Sequence, residues 1–205
     1  MNQSQKVASL LLKEKAVFLR PEDPFTWTSG IKSPVYCDNR LLISSVEARE
    51  FIVEAFCENL RPRKLDLVAG TATAGIPWAA WIAMELELPL VYVRSSDKGH
   101  GRQNSIEGRT APGQRTVLIE DLISTGKSSI EAARKLQEAQ VEVASVMSIF
   151  SYDFQIARDT FQKANLPHSS LSTFEVLANV AYDSRMLDGN ALGEVLQWRK
   201  GVALT

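Results

Sequence analysis

Short apolar runs alternate with stretches of helical periodicity along most of this chain. That alternation constrains the fold strongly, because strands separated by helices pair in parallel and bury both faces of their sheet. Residues 65–70, 90–93, 116–119 and 143–150 read as buried strands. Residues 46–60 place apolar side chains at 51, 52, 55, 56 and 60 on one helical face. Residues 75–86 do the same with Ile76, Ala79, Ala80 and Ala83, and 124–139, 153–164 and 192–198 also read as helices. The expected architecture is α/β, a largely parallel twisted sheet flanked by helices. At 205 residues the chain supports a single domain, 1–205.

Two segments break the rhythm. After an opening helix marked by Val7, Leu10 and Leu11, residues Pro21, Pro24, Ser29, Gly30 and Pro34 interrupt regular structure, which predicts a small N-terminal lobe over about residues 1–45. Between Ser95 and Gly113 apolar periodicity vanishes, and four of the eleven glycines of the chain fall there. A loop of that length inside one domain is usually a functional lid or a disordered segment. Charge narrows the partners: 23 basic against 24 acidic residues leave a net charge of −1, without the basic excess of a duplex-binding protein. Two cysteines, no signal-like start and no membrane-length apolar run predict a cytoplasmic protein that binds neither nucleic acid nor membrane.

The chemistry is concentrated in Thr116-Val-Leu-Ile-Glu-Asp-Leu-Ile-Ser-Thr-Gly-Lys-Ser-Ser129. A strand ends in adjacent acids, Glu120 and Asp121, and the turn Ser124-Thr125-Gly126-Lys127-Ser128 opens a helix. Unpaired amides at a helix start suit a phosphate monoester. Carboxylates at the carboxyl end of a parallel strand lie where α/β ligands bind. Here they could hold ribose hydroxyls, or a Mg²⁺ that bridges hydroxyls and pyrophosphate. Gly126-Lys127-Ser128 matches the second half of a Walker A loop, but Asp121 stands where that motif requires its first glycine, which excludes an NTPase loop.

Glu120-Asp121-Leu-Ile-Ser-Thr-Gly-Lys-Ser128 resembles the phosphoribosyl-pyrophosphate (PRPP) signature of type I phosphoribosyltransferases. Three further segments resemble the orotate branch of that family: Phe25-Thr-Trp-Thr-Ser-Gly-Ile-Lys-Ser-Pro-Val-Tyr-Cys-Asp-Asn-Arg40, Val68-Ala-Gly-Thr-Ala-Thr-Ala-Gly-Ile-Pro77, and Val93-Arg-Ser-Ser-Asp-Lys-Gly-His-Gly101 with Ile106-Glu-Gly108. The resemblance implies a type I phosphoribosyltransferase fold with an N-terminal hood and a flexible catalytic loop over 95–113. It implies Mg²⁺-dependent transfer of phosphoribose from PRPP to orotate, giving orotidine 5′-monophosphate in pyrimidine (UMP) synthesis. By the same resemblance Asp121, Lys98 and His100 are catalytic. PRPP would be held by Arg94, Lys98, His100, Glu120, Asp121, Ser124, Thr125, Gly126, Lys127 and Ser128, and by the backbone of Thr71, Ala72 and Thr73. Orotate would meet Ser29, Gly30, Ile31, Tyr36, Cys37 and Thr125. The metal would arrive with PRPP rather than in a protein cage, with Glu120 and Asp121 within its reach. A homodimer that shares its lids across subunits is implied, and the decarboxylase that consumes the product is the further partner suggested. Thr28, Ser95 and Ser96 stand where many relatives carry lysine. Two other readings stay open on the residues alone: transfer to another base, and a PRPP-sensing module without turnover.

Overall fold

The computed structural model describes residues 1–27, 30–94 and 105–202. The chain opens with α1 (Gln3–Lys13), started by a reciprocal cap in which Asn2 accepts from the Gln5 amide and the Gln5 side chain accepts from the Asn2 amide. The N-terminal lobe follows: β1 (Val17–Leu19), β2 (Phe25–Thr26), β3 (Lys32–Ser33), β4 (Val35–Cys37) and a 3₁₀ helix over Asn39–Ser44. Its strands form two small antiparallel pairs, β1 with β4 and β2 with β3. The prolines and glycine that broke the sequence pattern therefore sit in a lobe of hairpins. Helix α1 packs chiefly against α6 and β10, in the C-terminal half of the chain, and touches β1 and α2 as well.

The body runs α2 (Val46–Leu60), β5 (Leu67–Thr71), α3 (Gly75–Glu85), β6 (Leu90–Val93), β7 (Ile106–Glu107), β8 (Arg115–Ile123), α4 (Lys127–Glu138), β9 (Glu142–Ser151), α5 (Gln155–Lys163), β10 (His168–Thr173), α6 (Phe174–Asp183) and α7 (Gly189–Gly201). The central sheet has the order β10-β9-β8-β5-β6-β7, parallel throughout except for β7. This is the predicted α/β architecture. Successive strand residues point to opposite faces, and the core divides accordingly. Val68, Val117 and Ile119 join α2, α3 and α6 on one face, while Leu67, Ala69 and Leu118 join α4 and α5 on the other. Among the described residues no helix is long and apolar enough to cross a membrane.

Three elements differ from the sequence reading. Strand β8 continues through both acids to Ile123, so they lie inside the strand instead of beyond its end. Ile106 and Glu107, within the segment expected to be loop, pair antiparallel with Val93 and Tyr92. Residues 168–183, to which no element was assigned, form β10 and α6. β10 is a polar edge strand in which Leu171 is the one large apolar side chain, too little to register as a buried run.

From β5 the chain moves to β6 on one side and then crosses to β8 on the other. Ligands of open α/β sheets bind in the crevice outside the carboxyl ends of strands at such a reversal. The turns that leave β5 and β8 flank that crevice.

Candidate active site

Glu120 and Asp121 are neighbours on β8, and their carboxyl groups lie close enough to hydrogen-bond each other. Glu120 is buried and points toward the start of α4, where its carboxylate accepts hydrogen bonds from the hydroxyls of Ser129 at 3.3 Å and Ser128 at 3.4 Å and from the Asp121 amide at 3.2 Å. Asp121 is partly exposed on the lobe side. Its carbonyl accepts from the Asn39 side-chain amide at 2.7 Å, which ties the N-terminal lobe to β8. The two carboxyls therefore sit together on β8, Glu120 the more buried and held by the α4 serines, Asp121 partly exposed.

Burial, foremost, and the nearby Asp121 charge push the Glu120 carboxyl up to about 8, and burial pushes Asp121 up as well. The folded chain therefore holds the Glu120 proton more tightly than the unfolded chain. Between the ordinary carboxylate range and that value the native state carries the extra proton, so this group's contribution makes stability fall as pH rises through the window. Below the window both states are protonated and the effect disappears. Glu120→Gln should accordingly gain thermal stability relative to the parent as pH is raised from about 5 to about 8. A melting-temperature difference that stays constant across that range would show that Glu120 titrates normally.

After Ile123 the turn Ser124-Thr125-Gly126 leads into α4. Gly126 adopts φ +78°, and a Cβ there would lie 2.7 Å from the Phe161 ring, so glycine is required twice over. The first turn of α4 carries no acid, Gly126 offers no side-chain cap, and the first α-helical amide bond runs from Ile130 to the Gly126 carbonyl. The amides of Lys127, Ser128 and Ser129 thus lack backbone acceptors, and the positive end of the helix dipole faces the crevice. Lys127 and Ser128 are exposed there, with Ser124 and Thr125 half-buried beside them.

Across the crevice, Thr71 ends β5. The Ala72 amide donates to the Val93 carbonyl at 2.8 Å, and the Ala72–Thr73 peptide is cis. Gly75, the first residue of α3, passes so close to β8 that an added Cβ would sit 2.5 Å from the Ile119 carbonyl oxygen. Arg94 is ion-paired with Glu107 at 3.1 Å across β6 and β7, and its carbonyl accepts from Lys135. Lys98, His100 and Ser29 lie outside the described residues.

On the lobe side a cavity of about 330 Å³ is lined by Thr26, Trp27, Tyr36, Cys37, Leu122, Ser124 and Tyr152. Tyr36 and Cys37 were expected at a base, and Ser124 at a phosphate. Gly30 and Ile31 lie in the adjoining turn rather than on the wall: the Gly30 amide donates to the Trp27 carbonyl at 2.8 Å and the Trp27 amide to the Ile31 carbonyl at 2.9 Å. Trp27, inside the first motif segment, was missed as a wall residue, and Tyr152 completes the wall. Their rings meet at 5.3 Å, and burial drives the Tyr152 phenol far above its ordinary range. A larger cleft of about 550 Å³ beside α5 and α7 is dominated by charges already paired, Asp153 with Arg158 and Arg199. It touches neither the β8 nor the β5 turn.

A model of the phosphoribosyl transferase domain matches residues 43–164. An orotate phosphoribosyltransferase of Coxiella burnetii is 49% identical over 202 residues, covering 98% of this chain and 97% of its own. The chain belongs to the orotate phosphoribosyltransferase family. In structure it is similar to the orotate phosphoribosyltransferase of Aeropyrum pernix, with a TM-score of 0.76 at 28% identity over 89% of this chain and 99% of the other. A UMP synthase of Leishmania donovani gives a TM-score of 0.82 at 27% identity over 97% of this chain, which corresponds to 42% of that longer protein. Within this orotate phosphoribosyltransferase fold, the amide-rich start of α4 and the aromatic-walled cavity meet at Ser124.

Proposed function

We propose that the protein transfers the phosphoribosyl group of PRPP to orotate, releasing pyrophosphate and forming orotidine 5′-monophosphate for pyrimidine nucleotide synthesis. One juxtaposition carries the reading. Ser124 belongs both to the turn that leads to the first amides of α4, which lack backbone acceptors, and to the wall of the cavity with Trp27 and Tyr36. A 5′-phosphate on those amides would direct its ribose along β8 toward Asp121 and its C1 toward the cavity, where a planar base would lie among aromatic walls.

In the reaction the C1–oxygen bond to pyrophosphate breaks and a bond from C1 to a ring nitrogen of orotate forms. The ring nitrogen gives up its proton readily, so no strong protein base is demanded. The protein's task is to stabilise the departing anion and keep water from the electron-poor C1. Asp121 orients the ribose hydroxyls. Lys98 and His100, with Arg94, supply the cationic surface for pyrophosphate, and the lid carrying them serves the neighbouring subunit of a homodimer. The residues suit Mg²⁺ arriving on PRPP: Asp121 offers a partly exposed hard oxygen, with Glu120 beside it. When bound, the cation neutralises pyrophosphate charge. The product is the substrate of a decarboxylase, the partner this reading suggests.

The test is a steady-state assay with PRPP, Mg²⁺ and orotate, following the loss of orotate absorbance, repeated with purine bases. Turnover confined to orotate is expected. Turnover with purines instead would reassign the base, and PRPP binding by calorimetry without pyrophosphate release would make the protein a sensor.

A further inference from the structure

Trp198, on the last turn of α7, is more than 160 residues away in sequence from the turn that flanks the base cavity, yet it holds both ends of that turn. Its indole N–H donates to the Lys32 carbonyl at 2.9 Å, just past the turn. Its ring meets Trp27, at the turn's start, edge to face with centroids 5.8 Å apart. The turn itself is closed by the Trp27–Ile31 and Gly30–Trp27 backbone bonds. The same indole packs on Phe154 at 5.8 Å and Phe174 at 6.0 Å, so it is seated in the body of the protein. The next residue, Arg199, donates to the carbonyl and carboxylate of Asp153, one position beyond the wall residue Tyr152, and is ion-paired with Glu175 on α6.

Trp27 and Tyr152 are touching wall residues of one cavity, and consecutive α7 residues hold the chain beside each. We propose that Trp198 is a positioning residue for the nucleobase: from the C-terminal helix it sets where Trp27 and Lys32 stand beside Tyr152, and with them the shape of the cavity wall. It contacts no reacting atom. The inference rests on the proposed reaction for its substrate, orotate, but its geometric content does not. Edge-to-face aromatic contacts and an indole hydrogen bond are directional, so a smaller side chain would leave Trp27 and Lys32 free to shift.

The test compares Trp198→Phe, which keeps a ring and loses the N–H, with Trp198→Ala. Orotate KM is expected to rise about threefold in W198F and about tenfold or more in W198A, with PRPP KM within about twofold of the parent in both. A merely structural role would change both KM values together or lower only the active fraction, and that result would overturn the proposal, as would unchanged kinetics in both variants. A second readout needs no turnover and no W198A protein. Hydrogen exchange at the Trp27 and Gly30 amides should accelerate in W198F by about tenfold or more while the core strands β8 and β9 stay protected. A parent enzyme that fails to consume orotate counts against the reaction alone. Unchanged exchange in W198F counts against the clamp alone.

Discussion

Asp121→Asn is expected to lower kcat/KM for PRPP on the order of a hundredfold while the protein remains folded. The reasoning starts from what this side chain does in the absence of substrate. Its structural bond to the N-terminal lobe is made by the backbone carbonyl, which accepts from Asn39 and survives the substitution. The carboxylate itself is partly exposed on the crevice face of β8, and burial makes its ionised form unfavourable. Asparagine keeps the shape and removes that unfavourable charge, so the melting temperature should hold or rise. Catalysis should move the other way. Two charge-assisted hydrogen bonds to ribose hydroxyls, at about 1.5–3 kcal/mol each, are weakened in the transition state, and partial retention by the amide leaves a net loss of about 3 kcal/mol. Steady-state kinetics on a variant whose circular dichroism matches the parent decides the matter. Activity within about threefold of the parent would remove Asp121 from the ribose site.

The largest stability effect is expected at Gly75. The Cβ of Gly75→Ala would lie 2.5 Å from the carbonyl oxygen of Ile119 and 3.4 Å from its carbon, and both belong to the central strand β8. Backbone in the middle of a sheet cannot yield as a flexible side chain could. Relief requires α3 to lift from β8, at about 3 kcal/mol. For a domain of this size that lowers the melting temperature by about 10 °C. The lift would also move the turn at Thr71–Thr73, so PRPP affinity should weaken with stability. Gly193→Ala is the control: nothing lies within 4 Å of its added Cβ, and an exposed helical alanine should leave stability unchanged or raise it by up to about 1 kcal/mol. Calorimetry on the two variants would refute the steric account if both lost stability equally.

Much of the sheet was legible because its strands are bounded apolar runs and its helices keep their period. α2, α3 and β9 fall within a few residues of their expected limits. β10 and α6 escaped notice for different reasons. An edge strand facing water needs few apolar residues, whereas α6 does carry a signal, Thr173 as its cap and Phe174, Leu177, Ala178 and Ala181 on one face. The site divides in the same way. Ser124 to Ser128 announce themselves through a local turn whose amides are left over by helix geometry. Trp27 and Trp198 do not, since each reads as an ordinary core aromatic until the chain folds.

Local patterns were therefore sufficient for the α/β layout, the strand that carries the acids and the anion-binding start of α4, because pleat, helical period and unpaired amides act over a few residues. The burial of Glu120 against the α4 serines, the walls of the base cavity and the hold of α7 on the hood depended on packing between distant segments. Which face of β8 meets α4 and which meets the lobe is settled by the crossover from β6 to β8 and by the contacts of Asn39, and neither is encoded within reach of the motif itself.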